Sequence, residues 1–300
     1  MAFLSGLSAF PITPSDSDGV VDVLALRKLI ARLCAAKVDS IGLLGSTGTY
    51  MYLSRAERRR AICEALDETR GRVPLVVGVG ALRTDEAVHY ASDAKALGAA
   101  AGLLAAVSYT PLTDDEVFEH FSTVARESGL PIVIYDNPGN THFRFTPALI
   151  ERLGQLPGIF AIKNSADRGD AIKGQLAHQK KIVPKGFSIG YSGDWNAAEA
   201  LIAGADTWYS VLGGILPDPC LRMVRAAQHG DHTEAHRIDA TLAPVWELFK
   251  TFSSLRVVYA IAELLEICSA EPPRPIKPLS AAAKCQLAGV LDRLGSGVGS

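Results

Sequence analysis

Eight short apolar runs, separated by stretches with helical spacing, constrain this chain more than any other feature. The runs are Ser5–Phe10, Ser40–Leu44, Leu75–Val79, Ala101–Val107, Ile132–Tyr135, Ile159–Lys163, Phe187–Gly190 and Thr207–Val211. They are nearly continuous rather than alternating, as expected of strands buried on both faces of a parallel sheet. Between the first two, V-D-V-L-A-L-R-K-L-I-A-R-L places apolar residues at 23, 26, 29, 30 and 33, one face of a helix. The next helical stretch offers Ser54 as N-cap with Glu57 three residues on, a capping-box spacing, and Thr84 and Thr113 open the following two in the same way. Eight such units in roughly 230 residues predict a (β/α)8 TIM barrel, with an open doubly wound sheet as the alternative.

After Pro217 the pattern is helical only, from Asp218 to about Leu294, broken by E-P-P-R-P-I-K-P at 271–278 and restarted at Ser280. That is more than one barrel helix requires. The chain therefore divides into a barrel over residues 1–230 and a helical C-terminal extension over 231–294. The closing G-S-G-V-G-S, 295–300, reads as a disordered tail.

Bulk chemistry narrows the function. A composition 48% hydrophobic can fill a large core, and 30 basic against 32 acidic residues, well mixed, leave no basic stripe for nucleic acid. Cys34, Cys63, Cys220, Cys268 and Cys285 form no C-x-x-C, so neither a disulfide framework nor a zinc ribbon is expected, and the compartment reads as reducing. The opening lacks a basic n-region and reaches Pro11 too soon for a signal peptide, and the stretch from Ala96 to Val107 is too short to span a bilayer. The expectation is a cytoplasmic protein with no membrane or nucleic-acid partner. H-G-D-H-T-E-A-H at 229–236 puts His232 and His236 one turn apart, but in polar surroundings that read as a solvated helix face. No metal and no organic cofactor is expected.

In a barrel of this kind the site forms at the C-terminal ends of the strands. The residues there are Ser46 and Thr47 in G-S-T-G, Tyr109, Tyr135, Lys163, Gly193 and Asp194, and Tyr209 with Ser210. Lys163 ends the run I-F-A-I-K, and an unpaired ammonium in apolar surroundings is costly, so it is paired, exposed or neutral. A neutral amine attacks a carbonyl to form a Schiff base, and the phenol on the preceding strand, Tyr135, can shuttle protons. The other reading is a structural lysine paired with Asp136 or Asp167 at the rim. The G-S-T-G loop suits a small carboxylate. It lacks the P-loop lysine, and V-G-V-G-A-L-R lacks the third glycine of a dinucleotide fingerprint.

Taken together, G-S-T-G (45–48), V-S-Y (107–109), Y-D-N-P (135–138), A-I-K-N-S (161–165) and S-G-D (192–194) resemble the dihydrodipicolinate synthase / N-acetylneuraminate lyase family of class I aldolases, in order and over nearly the whole chain. The resemblance implies a barrel with a helical extension, assembled as a homotetramer from two dimers. It implies that Lys163 captures pyruvate or another 2-keto acid and that Tyr135 moves protons near the imine. Thr47 would relay protons to Tyr135, and Ser46 and Thr47 would hold the keto-acid carboxylate. Tyr109 would reach into a neighbouring subunit's site, and Gly193, Asp194, Asn140 and Tyr209 would meet the substrate.

Three positions depart from the family's pattern. Asn140 stands five residues after the motif tyrosine, where the synthases carry an arginine that grips a carboxylate. Thr49 replaces a common glutamate, and Tyr209 replaces a small aliphatic residue. The expectation is therefore a Schiff-base lyase that cleaves or dehydrates a hydroxylated 2-keto acid, such as a 2-keto-3-deoxy sugar acid. The alternatives are a 4-hydroxy-tetrahydrodipicolinate synthase condensing pyruvate with aspartate semialdehyde, and a non-catalytic 2-keto-acid-binding barrel. The residues around the pocket do not reproduce a sialic-acid lyase.

Overall fold

Parallel strands of four to seven residues close on themselves. The computed structural model describes residues 4–166 and 169–297. In chain order β1 (Gly6–Ala9), β2 (Ser40–Leu43), β3 (Leu75–Gly78), β4 (Ala101–Ala105), β5 (Ile132–Tyr135), β6 (Ile159–Ser165), β7 (Ser188–Ser192) and β8 (Thr207–Ser210) form a closed barrel, each strand pairing with the next and β8 with β1. The crossovers are α1 (Val23–Ala36), α2 (Arg55–Thr69), α3 (Thr84–Leu97), α4 (Asp114–Ser128), α5 (Pro138–Thr141) with α6 (Pro147–Gly154), α7 (Gly169–Ile182) and α8 (Ala197–Ile202). The closed sheet excludes the open doubly wound alternative.

The helix signals hold in part. Thr113 and Glu116 make a complete capping box on α4. Ser54 accepts the Glu57 amide at the start of α2, but the Glu57 carboxylate accepts instead from the Val21 amide at 2.7 Å, so the box is only half closed. Thr84 is the first residue of α3 rather than its cap, because its hydroxyl pairs with His120 Nδ1 at 2.9 Å on the neighbouring helix. The short α5, begun by Pro138, lies where no helix was anticipated.

Two apolar layers follow from the strand period of two. Outward residues such as Ile134, Ile162 and Trp208 join the layer between barrel and helices. Inward residues, among them Val76, Leu103, Val133 and Ala161, fill the barrel, with Phe10, Tyr135 and Tyr209 in the same cluster. The interior is packed, so any ligand must sit at the strand ends.

Beyond β8 the chain continues as α9 (Pro217–Gln228), α10 (His232–Phe252), α11 (Ser254–Leu264) and α12 (Ala281–Gly297). Ser280 caps the last helix by accepting the Ala283 amide at 3.3 Å. This helix carries three residues of the expected tail, 295–297; residues 298–300, like Asp167, lie outside the described residues. The α10–α11 junction turns at Ser253, whose φ of 73° and ψ of 130° suit glycine better than serine. No helix among the described residues is long and apolar enough to cross a membrane.

Candidate active site

Lys163 owes its inward direction to its neighbours on β6. The outward Asn164 is locked to Gln179 of α7 by two reciprocal hydrogen bonds of 2.9 and 2.8 Å. Alternation then aims Ala161 and Lys163 into the barrel. In register, Ala105, Tyr135, Lys163 and Gly190 stand level across β4 to β7.

The amine is buried, with 4% of the residue exposed. Its Nζ lies 3.9 Å from the centroid of the Phe10 ring, 4.3 Å from that of Tyr135 and 5.6 Å from that of Tyr209. Two glycines make this floor. A Cβ at Gly42 would overlap the Phe10 ring, and one at Gly190 would overlap Tyr209. Among the described residues no carboxylate lies within ion-pair distance of Nζ, so the pairing with Asp136 is not formed. Burial pushes the lysine below its ordinary pKa, while the nearby Tyr135 and Asp194 pull it back upward by less. The balance makes the neutral, nucleophilic form easier to reach than in an exposed lysine.

Besides Lys163, the Tyr135 phenol meets Asn137 and Ser46. Asn137 Nδ2 donates to its oxygen at 2.7 Å, and Ser46 Oγ lies 3.3 Å away. Thr47 is buried and lines the same cavity, but it makes no hydrogen bond to Tyr135. The hydroxyl at the phenol is therefore Ser46, which corrects the expected relay through Thr47. The turn that follows β2 decides this, because it presents neighbouring side chains in different directions.

Lys163, Tyr135, Ser46, Thr47, Asn140, Gly193 and Asp194 all line one cavity of about 530 Å³. Asp194 does not offer it a free oxygen. Its carboxylate accepts from Trp208 Nε1 (3.0 Å), Ser210 Oγ (3.2 Å), and the amides of Val211 (3.3 Å) and Leu212 (2.7 Å). Burial raises its pKa against those four donors. It therefore ties the ends of β7 and β8 together on the wall of the cavity. Tyr209 is fully buried, packs edge-on against Phe10 with ring centroids 6.0 Å apart, and does not line the cavity. Burial pushes its phenol far up, so it serves as floor rather than as substrate contact. Tyr109 is 98% exposed and outside the cavity wall of its own chain.

Residues that sequence reasoning passed over complete the site. Asn137 sits inside the quoted Y-D-N-P motif, two residues from the phenol it serves. Phe10 follows β1, so the strand-end rule reaches it as readily as it reaches Lys163. Ser253, Ser254, Leu255 and Arg256 line the cavity from the C-terminal extension, and no local pattern marks them. His229 and His236, from the histidine-rich stretch, face the Arg225 carbonyl at 2.7 Å and Glu199 at 3.7 Å.

The model of the dihydrodipicolinate synthetase family matches residues 3–294. The 4-hydroxy-tetrahydrodipicolinate synthase of Methylococcus capsulatus is 33% identical over 254 residues, 84% of this chain and 86% of that one. That of Albidiferax ferrireducens is 34% identical over 286 residues, 95% of this chain and 94% of its own. Among solved structures, a dihydrodipicolinate synthase from Agrobacterium tumefaciens superposes with a TM-score of 0.95 at 54% identity, covering 97% of this chain and 98% of that one. The Acinetobacter baumannii dihydrodipicolinate synthase complexed with pyruvate superposes with a TM-score of 0.90 at 27% identity, over 97% of this chain and 99% of that one. With a match of this extent and a buried lysine at the end of its sixth barrel strand, the chain belongs to the dihydrodipicolinate synthetase family and is one of its class I aldolase/lyase enzymes.

Proposed function

We propose that the chain joins Lys163 to the keto carbon of pyruvate and uses the resulting imine to make or break a carbon–carbon bond. The observation that carries this reading is the Lys163 amine itself, buried against three aromatic rings and level with Tyr135. Nζ adds to C2, the carbinolamine loses water, and the protonated imine withdraws electrons from C3. Loss of a C3 proton gives an enamine that adds to an aldehyde; the reverse sequence cleaves a 4-hydroxy-2-keto acid. Ser46 and Thr47 hold the keto-acid carboxylate. Tyr135, polarised by Asn137 and paired with Ser46, carries the protons.

The relatives weigh on which direction is used. Those at 33–34% identity, and the Agrobacterium structure at 54%, carry synthase names. They favour condensation with an aldehyde such as aspartate semialdehyde over the lyase reading that the sequence put first. A second reading, cleavage or dehydration of a hydroxylated 2-keto acid, is favoured by Asn140, a neutral side chain on the cavity wall where the synthases carry an arginine. The reading includes a homo-oligomer, since Tyr109 is 98% exposed on one chain.

The test is borohydride reduction with pyruvate, followed by peptide mass spectrometry. A reduced pyruvyl adduct on the Lys163 peptide, lost in Lys163→Ala, is expected. A folded protein that forms no adduct with any 2-keto acid would mark a binding protein instead. Turnover of aspartate semialdehyde against cleavage of 2-keto-3-deoxy acids then separates the two directions.

A further inference from the structure

We propose that Arg256, in the first turn of α11, holds a carboxylate on the second substrate, supplying from the C-terminal extension the cation that the barrel lacks at Asn140. The proposal rests on the Schiff-base reading above.

Arg256 lines the same cavity as Lys163, although it lies 93 residues further along the chain. Its Nε donates to the Lys277 carbonyl at 3.2 Å, which anchors the guanidinium to the segment that breaks the C-terminal helices. Ile276, next to that carbonyl, is also part of the wall. Among the described residues no carboxylate pairs with Arg256, whereas Arg27, Arg55, Arg59, Arg225 and Arg237 each meet one. With Nε engaged, the two terminal nitrogens remain as a fork, the geometry that takes a carboxylate by two parallel bonds.

The charge inventory of the cavity points the same way. Apart from phenols, its ionisable side chains among the described residues are Lys163, Asp194 and Arg256, and the Asp194 oxygens already accept from four donors. With Lys163 committed to the keto carbon, Arg256 is, among the described residues, the other cationic side chain on this wall that can face an anion. The Ser253 backbone, held at φ 73° and ψ 130°, turns the chain so that Ser254, Leu255 and Arg256 all reach the wall. A serine kept in that conformation beside a site is strain retained where position matters. A volume of about 530 Å³ also exceeds what a three-carbon acid fills, so the cavity has room for a second group.

The experiment compares 2-keto acids that differ only in a terminal carboxylate: 2-oxoglutarate and 2-oxoadipate against 2-oxopentanoate and 2-oxohexanoate. Borohydride-trapped adduct on Lys163 is measured at limiting acid in the wild type, Arg256→Ala and Arg256→Lys. The readout is the diacid-to-monoacid ratio within each protein, which is insensitive to losses in folding. We expect the wild type to favour at least one diacid by about tenfold or more, Arg256→Ala to lose that preference, and Arg256→Lys to recover part of it. Adducts without a diacid preference in the wild type, or a preference that survives in Arg256→Ala, would overturn the clamp and leave the imine intact. No adduct with any acid would overturn the Schiff-base reading, and the clamp with it.

Discussion

Lys163 and Tyr135 are register partners on adjacent parallel strands, and the lysine Nζ lies 4.3 Å from the centroid of the Tyr135 ring. Two properties follow from one pairing. The ring helps to strip water from the amine, and the phenol is delivered beside the Nζ to which the proposed imine is assigned. Removing either side chain therefore changes two things, and the experiments below separate them.

Tyr135→Phe keeps the ring and deletes the hydroxyl. Adduct formation with pyruvate should slow but persist, while kcat falls by about 10²-fold or more, because proton transfer by a positioned group is worth that much. Steady-state kinetics beside borohydride trapping checks this.

Ser46 and Thr47 should differ in kind. Ser46 lies 3.3 Å from the Tyr135 oxygen as well as beside the carboxylate position, so Ser46→Ala should lower kcat in addition to any effect on KM. Thr47 lines the cavity without touching the phenol, so Thr47→Val should act on the KM for pyruvate. A larger kcat loss in Thr47→Val than in Ser46→Ala would restore the relay through Thr47.

The lysine has a signature in stability as well. Its folded pKa is depressed below the ordinary value of 10.5, chiefly by burial. Between the folded pKa and 10.5 the unfolded chain therefore binds more protons, and stability rises with pH. Below the folded pKa the full cost of the buried charge is present. Lys163→Met should thus melt higher than the wild type near neutral pH, with the gap narrowing as pH approaches 10.5. Paired thermal melts across that range test it; a constant gap would mean that the amine titrates normally. The same depression predicts that the acid limb of kcat/KM for pyruvate falls at a pH below the ordinary lysine value.

Asp194→Ala should be a stability mutant first. It strips the acceptor from four donors that join β7 and β8, and leaving such groups buried and unpaired costs on the order of 3 kcal/mol. Urea denaturation of the apo protein should show the loss. Activity per folded molecule should fall by less than in Tyr135→Phe.

Tyr109→Ala tests the assembly. If the exposed phenol completes a neighbouring copy's site, the variant loses activity in proportion to its loss of oligomer by analytical ultracentrifugation. An active monomeric wild type would remove that role.

The strand-end rule, applied to apolar runs, pointed to Lys163, Tyr135, Ser46 and Thr47 because the first two close their runs and the other two follow one within three residues. It does not fix what each strand-end side chain touches. Asp194 and Tyr209 end strands too, yet Asp194 turns to the Trp208 indole and the loop amides, and Tyr209 sinks into the space left by Gly190. The glycine and the tyrosine are distant in sequence, so their fit is invisible to any local pattern. Thr84 failed as a cap for a similar reason: its partner, His120, is on another helix.

By itself the sequence determined the barrel, its helical extension and a lysine at the inner end of the sixth strand, because periodicity, capping and strand-end position are local properties of the chain. Only the tertiary structure decided which hydroxyl meets the phenol, that the Asp194 oxygens are already occupied, and that Arg256 shares a wall with Lys163. Those outcomes depend on side chains from distant segments competing for the same few ångströms, and that competition is settled only when the barrel closes.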